Sequence, residues 1–90
     1  MTRSEATLYL STVLTTLAEM NRHEAPEGHL YMALQHAGCT LDDFYGIKHI
    51  MCETEPPLAT AEPGPQLRLT ADGLALAAKI NAVLAAKKEA

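Results

Sequence analysis

Two histidine–cysteine pairs, His36-Ala37-Gly38-Cys39 and His49-Ile50-Met51-Cys52, are the first residues in this chain whose types could do chemistry. Together they spell H-x2-C-x9-H-x2-C, by residue type a Cys2His2 zinc set. Their placement argues against a shared ion. Residues 41–51 carry a helical pattern, and eleven residues at helical rise span about 16 Å. The two pairs then stand at opposite ends of a rod, whereas zinc gathers its ligands within about 2.0–2.3 Å of one point. The same separation rules out a Cys39–Cys52 disulfide, whose Cα atoms would have to lie within about 7 Å. No metal and no cofactor is therefore expected. His29 and His36 fall on one helix face, about 10 Å apart, too distant to chelate together.

Nucleophilic catalysis needs a base beside a Ser, Cys or Thr and an oxyanion site. The two serines, Ser4 and Ser11, both fall in the first helical segment, and the five glycines form no phosphate-binding loop. The chain reads as no enzyme. A redox or metal sensor built on Cys39 and Cys52 is the third-ranked reading.

Length and composition narrow the class. Ninety residues make one domain, spanning 1–90. A chain of this size buries roughly 60–65% of its unfolded surface, so a second copy or a partner would help it. Apolar residues are 48% of the total, enough for a core, and with three Tyr, one Phe and no Trp that core must be mostly Leu and Ala. No apolar run approaches the ~20 residues of a membrane span. Thr, Ser and Glu break up any signal-peptide core at the N-terminus, and two cysteines without a secretory signal point to a reducing cytoplasm. Seven Lys and Arg stand against eleven Asp and Glu, a formal net charge of −4. That balance leaves no general basic footprint for nucleic acid.

The elements that must position these residues follow from periodicity. Residues from about 4 to 21 form a first helix, with Leu10, Val13, Leu14 and Leu17 on one face, and Thr2 and Glu5 spaced as a capping box with Ser4 as the alternative cap. A second begins near Pro26, buries Leu30, Ala33, Leu34 and Ala37, and ends at Gly38. Thr40 caps a third, in which Leu41, Phe44, Ile47 or Lys48, and Met51 keep the period. Residues 53–66 hold four of the five prolines. Leu58–Thr60 and Leu67–Leu69 read as a short hairpin around a Glu62–Pro65 turn. Thr70 caps the last helix, whose face is Gly73, Leu76, Ala77, Ile80, Val83 and Leu84. The fold class is mainly α: three helices, a two-stranded hairpin and a long C-terminal helix.

That element order is the order of a winged helix-turn-helix. The run Leu67-Arg68-Leu69-Thr70-Ala71-Asp72-Gly73, continuing as Ala-rich helix to Ile80, resembles the strand-into-helix junction of bacterial winged-helix regulators of the MarR and PadR type. The resemblance is local, about 14 residues, with element order extending it over residues 25–85. It implies that residues 40–52 occupy the recognition-helix position and residues 53–68 the wing. It also implies a homodimer built by the first and last helices, which the bare Ala-rich faces of residues 75–86 would suit. One departure is plain: the short strand expected between the first two helices is not visible in Arg22-His23-Glu24-Ala25.

The charge on the reading edge has the wrong sign for DNA. Recognition helices favour Arg, Lys, Asn, Gln, Ser and Thr. Here the exposed face is expected to carry Asp42, Asp43, Tyr45, Gly46, His49 and Glu53, with Lys48 the helix's one full cation, and residues 49–67 contain neither Lys nor Arg. Two aspartates at the helix entry would repel phosphate. Asp42, Asp43, Tyr45 and His49 are therefore expected to form an acidic–aromatic surface for a basic protein partner. Tyr9, Tyr31 and Tyr45 are all expected to be partly exposed. The leading expectation is a cytoplasmic, non-catalytic regulatory or adaptor protein-interaction module. The alternative is a DNA-binding transcriptional regulator with Thr40, Lys48, His49 and Arg68 at the duplex.

Overall fold

The computed structural model describes residues 2–62 and 66–89. It comprises helix α1 (Arg3–Glu19), a 3-10 turn (Asn21–His23), strand β1 (Glu24–Pro26), helices α2 (Glu27–Gln35) and α3 (Leu41–Glu53), strands β2 (Ala59–Glu62) and β3 (Gln66–Leu69), and helix α4 (Ala71–Glu89). Mainly helical structure with a small sheet and a C-terminal helix is what the periodicity predicts.

Each helix start is chemically marked. At α1 the Glu5 amide donates to Thr2 Oγ1 (3.1 Å) and the Thr2 amide donates to the Glu5 carboxylate (3.0 Å), which completes the box. Thr40 and Asp43 repeat the device at α3. At α4 the Gly73 amide donates to Thr70 Oγ1 at 3.1 Å. Pro26 stands at the N-cap of α2 rather than inside its first turn, and it offers no side-chain acceptor. Gly38, at φ 90°, makes the left-handed turn between α2 and α3 that only glycine adopts without cost.

The sheet corrects the two-stranded expectation. It has three antiparallel strands in the order β1-β3-β2. The strand that local sequence does not announce is present, with Glu24, Ala25 and Pro26 opposite Arg68, Leu67 and Gln66. Two left-handed residues, Arg22 (φ 60°) and His23 (φ 55°), turn the chain from α1 into β1. Pro26 fits here because it ends an edge strand. On the other side of β3, Ala59 faces Leu69 and Glu62 faces Gln66. β2 thus starts one residue later than the sequence pattern suggests, and most of the expected turn, Pro63–Pro65, lies outside the described residues.

The core joins all the helices to the sheet: Tyr9, Val13, Leu14 and Leu17 of α1, Leu30 and Leu34 of α2, Phe44, Ile47 and Met51 of α3, Leu67 and Leu69 of β3, and Ala77 of α4. Several expected core positions are not in it. Ala33 and Ala37 of the second apolar stripe are exposed, as is Leu41. Val83 and Leu84 are 54% and 48% exposed, whereas among the described residues of α4 Gly73 and Ala77 are buried and Leu76 and Ile80 pack against the core. Tyr9, expected near the surface, is fully buried, and its hydroxyl donates weakly toward Glu5 (3.4 Å) and the Ala37 carbonyl (3.5 Å). Among the described residues, no helix is long and apolar enough to cross a membrane.

Candidate functional site

Helix α3 is anchored by Phe44, Ile47 and Met51, so its opposite face is set by the 3.6-residue repeat. Asp42, Tyr45, His49 and Glu53 are all exposed and recur at three- and four-residue intervals along that face. Three of the four residues expected at a partner surface therefore share one stripe. Asp43 departs from it. The Thr40 amide donates to its carboxylate at 3.3 Å and its own amide donates to Thr40 Oγ1 at 3.1 Å, which turns it back along the helix, half-buried.

The residues expected at a duplex are mostly engaged within the chain. Thr40 is the cap of α3. Lys48 is ion-paired with Glu27, in the first turn of α2. The hydrogen bond to that carboxylate holds the Lys48 ammonium above its usual pKa. Arg68 is bound to Glu24, its cross-strand neighbour. His49 alone stands exposed without such a contact.

An aromatic row runs behind the stripe. The Tyr31 and Phe44 rings are tilted at 5.9 Å between centroids, and those of Phe44 and Tyr45 at 6.0 Å. Tyr45 remains half-exposed. Between the start of α2 and the first turns of α3 these rings line a crevice of about 140 Å³ with Glu27, Gly28 and Leu41.

A second, larger concavity of about 590 Å³ lies between α1 and α4. One wall is Leu76, Ile80, Val83 and Leu84 with Lys79. The other is Leu8 among Thr7, Ser11, Thr12 and Thr15. Each of those four hydroxyls donates to the carbonyl four residues back, at 2.7–2.9 Å. With the hydroxyl protons already placed, this wall presents methyl and methylene groups.

The His–Cys pairs stay apart, one before α3 and one in its last turns. Cys39 is buried, with its Sγ 3.4 Å from the Thr40 carbonyl, and burial together with Asp43 pushes its thiol pKa up. Cys52 is half-buried and also pushed up by burial. Among the described residues, no three His, Cys, Asp or Glu side chains gather as a metal site. The residues that sequence reasoning missed are Glu24, Glu27, Gly28 and Leu41, while Tyr31 is partly exposed as expected. The first two carry a local signal only as acids at a helix start, and the partners that give them meaning lie 44 and 21 positions away.

Comparison with protein-family models, curated proteins and solved structures found no match to the chain.

Proposed function

We propose that this chain is a non-catalytic regulatory or adaptor module of winged-helix type, which uses the exposed face of α3 to hold a protein partner. One observation carries the reading. The face that would enter a DNA groove bears Asp42, Tyr45, His49 and Glu53, while Lys48 and Arg68 are each neutralised by a carboxylate of the same chain. A phosphate backbone approaching this face meets negative charge with no compensating cation. Tyr45, with an apolar ring and a polar tip, suits a protein contact. A random 20-base-pair duplex titrated with micromolar protein at 20 mM salt tests the reading. No binding is expected, and a salt-dependent complex overturns it.

A DNA-binding regulator remains the second reading, and a specific observation favours it. The order α1-β1-α2-α3-β2-β3-α4 with sheet order β1-β3-β2 supports the winged helix-turn-helix reading on which it rests. Fold alone does not carry function, and the charges favour the first reading.

The same reading includes self-association through α1 and α4 in the cytoplasm. The apolar groove between these helices and the exposed Val83 and Leu84 at its end lie on one surface. A two-fold dimer needs such a patch, carrying both projection and recess. Sedimentation at 10–200 μM should give a dimer, and Leu84→Glu should give a monomer with an unchanged far-ultraviolet spectrum. A monomeric parent chain removes this part of the proposal.

A further inference from the structure

We infer that the crevice between α2 and α3 receives one aliphatic side chain of a lysine-rich peptide segment, with Asp42 meeting a cation of that segment. The inference rests on reading the α3 face as a contact surface, and it names the occupant by four properties of the site.

The first is size. Pockets for small molecules and cofactors run to about 300–1,000 Å³. The crevice is about 140 Å³. An apolar cavity of ~150 Å³ holds a single benzene ring. There is room for one side chain and not for a cofactor.

The second is the wall. Tyr31, Phe44, Tyr45 and Leu41 give it ring faces and a branched aliphatic group, and Leu41 is 47% exposed although it belongs to the apolar repeat of α3. Glu27, the charged group in the lining, already holds Lys48. The surface the lining exposes is mainly apolar.

The third is Gly28. It sits in the first turn of α2 without a positive φ, and a Cβ built on it would meet nothing within 4 Å. A glycine inside a helix is less favourable than alanine. Neither a turn nor a close approach inside this chain uses the missing side chain. Its effect is to leave the α2 backbone bare at the crevice, open to an incoming chain.

The fourth is charge. Asp42 lies beside Leu41 and one turn before Tyr45, is exposed, and makes no ion pair among the described residues. The α3 stripe bears no Lys or Arg. Lys48, the cation nearest the crevice, is held by Glu27, so an approaching cation meets Asp42 as an unpaired charge on the stripe, whereas an acidic segment is repelled by it. The charge order selects lysine-rich over acidic partners.

Amide chemical shifts of 15N-labelled protein at 50 mM salt test this with three acetylated pentapeptides. One has two lysines on each side of a leucine, one replaces the leucine by glycine, and one replaces the lysines by glutamate. The leucine–lysine peptide should shift Gly28, Leu41 and Tyr45 saturably. The glycine and glutamate controls should bind at least tenfold more weakly. Gly28→Leu, which fills the crevice, should abolish the shifts without lowering the melting temperature, and Asp42→Lys should weaken binding at least fivefold. Equal binding of the glycine control, shifts confined to the α1–α4 groove, or no shifts at all overturn the inference. So does a concentration dependence of the same amides without peptide, since Leu84-Ala85-Ala86-Lys87-Lys88 of another copy carries the same chemistry. The duplex titration reports on the contact-surface reading separately. Without DNA binding, a silent pentapeptide removes the crevice proposal and leaves that reading standing.

Discussion

Glu24 and Arg68 face each other directly across β1 and β3, and the guanidinium donates two hydrogen bonds, 2.7 and 3.1 Å long, to a single carboxylate oxygen. Glu27, three residues further on, holds Lys48 in the same way from the first turn of α2. A short acidic segment at the β1–α2 junction thus pins both full cations that a duplex would need.

Glu24→Gln combined with Glu27→Gln should release them. Both pairs are partly exposed, so each contributes only about 0.2–1 kcal/mol and the fold should survive. The formal charge moves from −4 to −2, two carboxylates fewer. Weak duplex binding should appear at low salt, with a log–log salt slope of about 2 per chain if both cations reach phosphate. A double variant that still ignores DNA would show that the aspartate-bearing stripe, rather than the pinned cations, excludes it.

Two glycines should respond oppositely to alanine. At Gly73 a Cβ would run into the Leu58 carbonyl, whose oxygen already accepts from the Thr70 amide at 3.0 Å. Gly73→Ala must push α4 off this backbone, at a cost of about 1–3 kcal/mol. At Gly28 the space is open, and Gly28→Ala should stabilise by about 0.5 kcal/mol. Urea midpoints of the two variants measure both signs.

Acid should loosen α1 first at its start. The Thr2 amide, followed by the Thr2 hydroxyl, holds Glu5 below its ordinary pKa. A lowered carboxyl pKa means stability that is present above the unfolded value and lost as pH falls through the folded one. The Thr2 and Glu5 amide shifts should therefore move below the usual carboxylate range, and Thr2→Ala, which keeps the amide and loses the hydroxyl, should move that transition only part of the way back toward the ordinary range. Lys48 works in the other direction. Its raised pKa means a contribution intact below the ordinary lysine value and lost only as pH rises past it. Neutral and mildly alkaline solutions should leave the α2–α3 junction unchanged.

Neither cysteine should behave as a sensor. Thiolate is the reactive form, and burial raises both thiols away from it. Iodoacetamide at pH 7.5 should alkylate Cys39 and Cys52 at least tenfold more slowly in the folded chain than in 6 M guanidinium. Rapid modification of either in the native state would return the redox reading.

Helix positions and caps were legible because they are local: Thr2–Glu5, Thr40–Asp43 and Thr70 sit beside the residues they cap. β1 was not, because three residues with a terminal proline become a strand only through β3, whose partner positions lie 40 to 44 residues on. Tyr9 looked like a surface tyrosine because nothing near it in sequence shows that α2 ends against it. Val83 and Leu84 continue a correct apolar period, but along the open α1–α4 groove, where they stay exposed rather than joining the core. The stripe Asp42, Tyr45 and His49 follows from helical spacing alone. Which cations are neutralised does not, since that depends on the tertiary path bringing residues 24 and 27 to residues 68 and 48.

The middle position of β3 has a consequence for the chain as it is made. β1 and β2 are each hydrogen-bonded to β3 and not to one another. Until Gln66–Leu69 leaves the ribosome, neither earlier strand has anything to pair with, and Leu67, wholly enclosed in the finished domain, is missing from its centre. A nascent or truncated product stopping short of residue 66 holds at most a loose cluster of three helices. Residues 66–89 supply the central strand and α4, which turn that cluster into a sheet-bearing domain.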